Sequence, residues 1–120
     1  MTPESTTIEI VRDAVTIDRL GALASARFGD LVKAVVDVRR GIMAVGGELH
    51  ADEEAVLLDA GSGQSDLWGI NLYPVDHGSE GWLEFDSMIN VRPGQGNRSR
   101  SVEDLVIRDR IAAIVALLVR

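Results

Sequence analysis

The sequence predicts a single α+β domain, on three observations. At 120 residues the chain suits one hydrophobic core, since two halves would each bury too little surface. Segments 31–38 and 82–91 alternate apolar and polar side chains with the period of a strand, whereas 17–28 and the last helix, which runs to the C-terminus, carry apolar stripes at helical spacing. Gly, Pro, Asn and Asp clusters separate these segments. With 46% apolar but only 4% aromatic residues, the core must be built from Val, Leu, Ile and Ala.

In chain order, residues 1–6 read as a disordered tail. Thr7–Val11 reads as a short strand with Ile8 and Ile10 on one side. Thr16 is placed to cap a helix whose stripe is Ile17, Leu20, Ala24 and Phe28, with Gly29 as its stop. Leu31–Val38 follows as a strand, turning Val32, Ala34, Val36 and Val38 to the core. Arg39-Arg40-Gly41 forms a hairpin loop, in which Gly41 takes the left-handed conformation, and Ile42–Val45 returns. Gly46-Gly47 breaks this strand. A helix then runs from Asp52, as its cap, to Ala60, ended by Gly61-Ser62-Gly63.

Leu67–Tyr73 is the next strand, burying Trp68, Ile70 and Leu72, before an exposed loop from Pro74 to Gly81. Trp82–Val91 alternates most clearly of all, with Leu83, Phe85, Ile89 and Val91 opposite Glu84, Asp86, Met88 and Asn90. Ser101-Val102-Glu103-Asp104 resembles a capping box before the final helix, whose core stripe is Ile107, Ile111, Ile114, Val115 and Leu118. The order is thus β-α-β-β-α-β-β-α. Its first six elements match a ferredoxin-like split βαβ unit, which predicts helices on one face and an open face on the other.

Several classes are excluded or disfavoured. No apolar run approaches the roughly 20 residues that span a bilayer, and the polar N-terminus lacks signal-peptide character. Without cysteine there is no disulfide, thiolate nucleophile or Cys-based metal site, which agrees with a reducing cytoplasm. No cofactor or metal is predicted. The net charge of −7 works against nucleic acid and anionic membranes. The third strand, Ile42-Met43-Ala44-Val45, also lacks the aromatics on which an RNA-recognition sheet stacks bases. Charge is uneven, however. Glu48–Asp66 carries carboxylates and no Lys or Arg, while Ser87–Ser101 carries Arg92, Arg98 and Arg100 and no acid.

That arginine loop is the first candidate site. Arg92, Asn97, Arg98, Arg100 and Ser101 precede a helix N-terminus, where unpaired N–H groups, flexible glycines and guanidinium forks suit an anion. The alternative is that these arginines pair with Glu84, Asp86 or Asp104 and pin the loop. Second, Glu48, His50 and Asp52 would share one side if extended, the donor set of an acid–base group or metal perch. Against this, Asp52 caps a helix and His50 meets a local hydrogen bond. Third, the open sheet face gathers Lys33, Asp37, Asn71, Tyr73, Glu84, Asp86, Asn90 and Arg92, with Glu84 and Asp86 two apart on one strand. Such a face is equally expected to be simply solvated. Fourth, Val106, Ala113 and Leu117 add a second apolar line to the last helix and favour a homodimer.

Two stretches carry a resemblance. Gly47-Glu48-Leu49-His50-Ala51-Asp52-Glu53-Glu54-Ala55 through Leu67-Trp68-Gly69-Ile70-Asn71-Leu72-Tyr73-Pro74 is one. Glu84-Phe85-Asp86-Ser87-Met88-Ile89-Asn90-Val91-Arg92-Pro93 through Gly96-Asn97-Arg98-Ser99-Arg100 is the other. Together they resemble a family of small uncharacterised prokaryotic proteins, a domain of unknown function, from about Phe28 onward. The resemblance implies a bacterial or archaeal single-domain protein and brings no activity with it.

Three functions fit these residues. The first is a small cytoplasmic binding or regulatory module for an anionic ligand at the 92–101 loop and last-helix N-terminus. The second is an acid–base or metal-assisted enzyme using Glu84, Asp86 and His50. The third is an interaction subunit without a pocket.

Overall fold

The alternation in segment 31–38 becomes the centre of the molecule. A computed structural model describes residues 8–120, so the expected tail over 1–6 and the first residue of the expected first strand lie outside the described residues. The elements are β1 (Glu9–Val11), α1 (Ile17–Arg27), β2 (Val32–Asp37), β3 (Ile42–Val45), α2 (His50–Asp59), β4 (Leu67–Leu72), β5 (Leu83–Glu84) and α3 (Leu105–Leu118). They form one antiparallel sheet of order β1-β3-β2-β4-β5.

Thr16 caps α1 through a bond from the Arg19 N–H to its Oγ1, at 3.0 Å. Gly41 takes φ +69° in the β2–β3 hairpin, and the Asp37 carboxylate accepts the Arg39 and Arg40 N–H groups in the same turn. Asp37 is therefore a buried turn residue held also by Ser62, not part of an open face.

The sheet departs from the ferredoxin-like expectation at β4. Strand β3 lies between β1 and β2, as in that fold, but β4 joins beside β2 instead of beside β1. Crossover connections are right-handed. The β1-α1-β2 and β3-α2-β4 crossovers move the same way across the sheet from strands of opposite direction, so their helices fall on opposite faces. Packing agrees: Leu20, Leu23 and Ala24 of α1 share one core with Ile111, Ile114, Val115 and Leu118 of α3 and with Val36, Met43 and Ile70 of the sheet. Leu57 of α2 packs on the other face, with Val35, Ile42, Ala44 and Leu67. The expectation of helices on one face is thus corrected, and α2 covers most of the face expected to be open.

Two further elements differ from the sequence reading. Helix α2 begins at His50, two residues before Asp52, with Leu49 as an N-cap that offers no side-chain bond. Segment 82–91 is a strand only over Leu83–Glu84, followed by a 3₁₀ turn, Met88–Asn90, that Ser87 caps from its hydroxyl. Leu83 and Phe85 pack on the α1–α3 face whereas Ile89 packs on the α2 face, so the alternating residues do not share a side.

What replaces the strand is a side chain. Asn90 accepts the Gly69 N–H through Oδ1 at 2.8 Å and donates through Nδ2 to the Gly69 carbonyl at 2.9 Å. It pairs with β4 as a neighbouring peptide group would. Side-chain amides and peptides carry the same donors and acceptors, so a strand edge can be closed this way at no cost in unsatisfied groups. No helix among the described residues is long and apolar enough to cross a membrane.

Candidate functional site

Because α2 starts early and segment 86–89 turns away from the sheet, a cleft of about 400 Å³ opens between them. Its floor is Lys33 of β2 and Asn71 of β4. Its walls are Leu49, His50 and Ala51 at the start of α2, Phe28 and Leu31 beyond α1, and Asp86 to Ile89, with Arg100 at the rim. Phe28, Leu49 and Met88 are exposed apolar side chains at its mouth.

Gly69 makes this arrangement sterically feasible. A Cβ there would lie 2.5 Å from both Cβ and Oγ of Ser87 and 3.2 Å from Cδ2 of His50. The missing side chain lets Ser87 and His50 meet over β4.

His50 is 8% exposed and its Nε2 lies 2.8 Å from the Ile70 carbonyl. A carbonyl only accepts, so Nε2 carries the proton and the neutral ring presents a lone pair at Nδ1. Burial lowers the imidazole pKa below its usual value; the bond to Ile70 opposes this, Lys33 adds to it, and Asp86 and Asn71 oppose it. Asn71, 7% exposed, donates from Nδ2 to Glu84 Oε1 at 2.9 Å and to the Asp86 carbonyl at 3.2 Å, while its Oδ1 has no partner.

The cations of the cleft differ in availability. Lys33 Nζ lies 4.9 Å over the Phe28 ring and makes no ion pair within 4 Å among the described residues. Arg100 donates from Nε to Asp86 Oδ1 at 2.7 Å, leaving the rest of its guanidinium exposed. No side chain caps the first turn of α2, so its positive end also borders the cleft.

The sequence-derived candidates separate accordingly. His50, Asp86 and Arg100 come together at the cleft. Glu48 and Asp52 are exposed and outside the cleft lining, so the expected Glu48–His50–Asp52 row does not form; the cause is that residue 50 opens a helix instead of continuing a strand. Glu84 and Asp86 do not act as a pair, for Glu84 is held by Asn71 and Tyr73, and Asp86 by Arg100.

The arginine loop is largely structural. Arg92 is half-buried, donates to the Leu67 carbonyl, lies 3.6 Å from Glu54 Oε2 and stacks over Trp68. Asn97 is buried and donates to the carbonyls of Asn90, Ser99 and Ser101 while accepting the Glu103 N–H. Ser101 accepts from Arg108 and is not the cap of α3. That cap is Asp104, whose Oδ1 takes the Val106 and Ile107 N–H groups. Glu103 takes those of Arg98 and Ser99, and hydrogen bonds from Ser99 and Arg98 hold its pKa below the usual carboxylate range. The anion positions before α3 are thus filled by the protein's own carboxylates, and the Arg98 side chain stays exposed.

Phe28, Leu31, Leu49, Ser87 and Met88 were not legible as site residues. An exposed apolar side chain carries no mark of the cleft it borders until the course of the chain is known. No three His, Cys, Asp or Glu side chains gather to hold a metal ion among the described residues.

Comparison with known proteins matches neither a curated protein nor a solved structure. One family model matches residues 9–118, nearly the whole chain, and its description is a protein of unknown function. The chain belongs to that family, DUF5674.

Proposed function

We propose that this protein is a small binding or regulatory module whose ligand is an organic anion with an apolar body, seated in the α2 cleft. The observation that carries this reading is the meeting, in one concave site, of Lys33, which makes no ion pair among the described residues, a helix N-terminus without a side-chain cap and an apolar wall. Ligand sites are typically concave and mostly apolar, with a few converging polar groups that orient the ligand. The anion belongs here and not at α3, whose N-terminus already holds Asp104. Arg100 is the one residue of the arginine loop that contributes, from the rim.

Thermal unfolding against a panel of carboxylates with and without amino groups, together with inorganic phosphate, tests the reading. A ligand at 100 times its Kd adds about 2.7 kcal/mol, several degrees in a domain of this size. Carboxylates with branched or aromatic bodies are expected to raise Tm, and Lys33→Met and Arg100→Ala to reduce the shift together. Equal shifts in the wild type and both variants would place the ligand elsewhere.

An acid–base enzyme is the second reading, favoured by a single feature, the fixed tautomer that leaves His50 Nδ1 as a base. Turnover of a bound ligand, abolished by His50→Gln while binding persists, is its test. We further propose a cytoplasmic prokaryotic setting, which the cysteine-free acidic composition supports, and a homodimer through α3. Val106 and Leu117 are 76% and 68% exposed on that helix. Sedimentation should show a dimer that Leu117→Glu dissociates; a monomer at tens of micromolar would remove the dimer from the proposal.

A further inference from the structure

Two side chains more than nine-tenths buried, His50 and Asn71, each turn a hydrogen-bond acceptor to the cleft that they line. His50 Nε2 is committed to the Ile70 carbonyl, so Nδ1 of the neutral ring can only accept. Asn71 Oδ1, in the neighbouring side chain, has no partner, although the residue is more than nine-tenths buried. Buried acceptors are nearly always satisfied, and one left open in a cavity wall beside the His50 ring asks for a donor from outside the fold. A third acceptor stands beside them: Asp86 uses Oδ1 for Arg100 and lines the same cleft.

The donors lie among these acceptors: Lys33 is the cross-strand neighbour of Asn71, Arg100 holds Asp86, and His50 itself opens the first turn of α2. The site therefore presents both signs of polarity within a single small volume, next to an apolar wall formed by Phe28, Leu49 and Met88. A simple fatty acid answers only the donors. A molecule with a carboxylate and an ammonium on the same carbon answers both sets and leaves one substituent for the wall.

We propose that the ligand is a free 2-amino carboxylate with an apolar side chain, its ammonium directed to His50 Nδ1, Asn71 Oδ1 and Asp86, and its carboxylate to Lys33, Arg100 and the α2 N-terminus. This rests on the cleft being the binding site, and it narrows the ligand from organic anions in general to a zwitterion. Both sets line one cleft of about 400 Å³, which favours the free amino acid over a peptide end, in which only one of the two charges is present.

Calorimetric titration of the full chain with L-leucine, L-methionine and L-phenylalanine tests the proposal, with 4-methylpentanoate and 3-methylbutylamine as probes that each lack one charge. At least one amino acid is expected to bind, and each single-charge probe at least tenfold more weakly than L-leucine. Asp86→Asn, a change at a partly exposed side chain, should weaken amino-acid binding about tenfold without weakening that of 4-methylpentanoate, since it also releases Arg100 toward the carboxylate. If 4-methylpentanoate binds as tightly as L-leucine, the ammonium contact is wrong while the anion reading survives. If no probe binds, both fall. If amino acids bind but Asp86→Asn and Lys33→Met change nothing, the site is not this cleft.

Discussion

Replacing Asn90 with alanine is expected to cost about 3 to 5 kcal/mol, an effect large enough to unfold much of the population at 37 °C. The reason is that the side chain stands in for a strand. It is fully buried, gives and takes one bond with Gly69, and donates a further bond to the Arg100 carbonyl at 2.9 Å. Its truncation strands the Gly69 N–H and carbonyl inside the protein, and each unsatisfied buried group costs about 1–3 kcal/mol. The Asn90 backbone carbonyl also accepts from Asn97, so the loss spreads into the 97–101 loop.

Asn90→Asp separates shape from chemistry. The aspartate keeps an acceptor for the Gly69 N–H but presents oxygen to two carbonyls where Nδ2 had donated, so it is expected to be no better than alanine. Gly69→Ala attacks the same joint by crowding, since the new methyl would meet the Ser87 Cβ, which belongs to a buried, capped turn and cannot swing aside. A cost of about 2–3 kcal/mol is expected from overpacking alone. Urea unfolding of the three variants measures these differences. Losses below about 1 kcal/mol in Asn90→Ala would show that water replaces the amide and that the joint is not what closes β4.

This joint also explains why segment 82–91 departs from its strand pattern while its neighbours keep theirs. The cap at Thr16, the turn at Gly41 and the apolar stripe of α3 are local devices, each decided by a few adjacent residues, and the sequence displays them directly. Alternation over 82–91 has the strand period but does not state which surface each residue meets. Phe85 and Ile89 go to opposite faces because the chain crosses the end of the sheet there. The partner that stops the strand, Gly69, lies 21 residues away from Asn90. Likewise Asp52 signals a helix entry as a capping residue, yet the turn forms on the backbone of Leu49, with no capping side chain to announce it. The cleft arises between these two points, so the sequence marks His50, Asp86 and Arg100 singly but not their meeting.

The pH dependence of folding is expected to be dominated on its alkaline side by Glu53. This residue is buried, takes the Gly47 N–H on Oε2 at 2.8 Å and has no partner for Oε1. Burial pushes its pKa well above the usual carboxylate range, against the opposing Gly47 bond and the Lys33 and Arg27 charges, with Asp52 adding to the rise. Between the unfolded and folded pKa values the folded state holds a proton that the unfolded chain has lost. Stability contributed by this group is therefore fully present below the unfolded carboxylate pKa and falls as pH rises, by up to about 1.4 kcal/mol per pH unit, until the folded pKa is passed. Glu53→Gln keeps the acceptor for Gly47 and does not titrate, so it is expected to overtake the wild type progressively above pH 5. His50 acts with the opposite sign. Its lowered pKa means that the unfolded chain takes up protons first as pH falls below about 6.5, so stability is lost on the acid side and His50→Gln should flatten that limb alone. Chemical unfolding at pH 5, 7 and 9 distinguishes the two. A constant difference between Glu53→Gln and wild type at all three values would mean that packing, not ionisation, sets the cost. Both groups stand in the first turn of α2, one tying it to Gly47 and the other forming the cleft wall. Ionising Glu53 therefore loosens the helix end that borders the cleft, and if the cleft holds the proposed ligand, its affinity should decline with stability as the solution becomes alkaline.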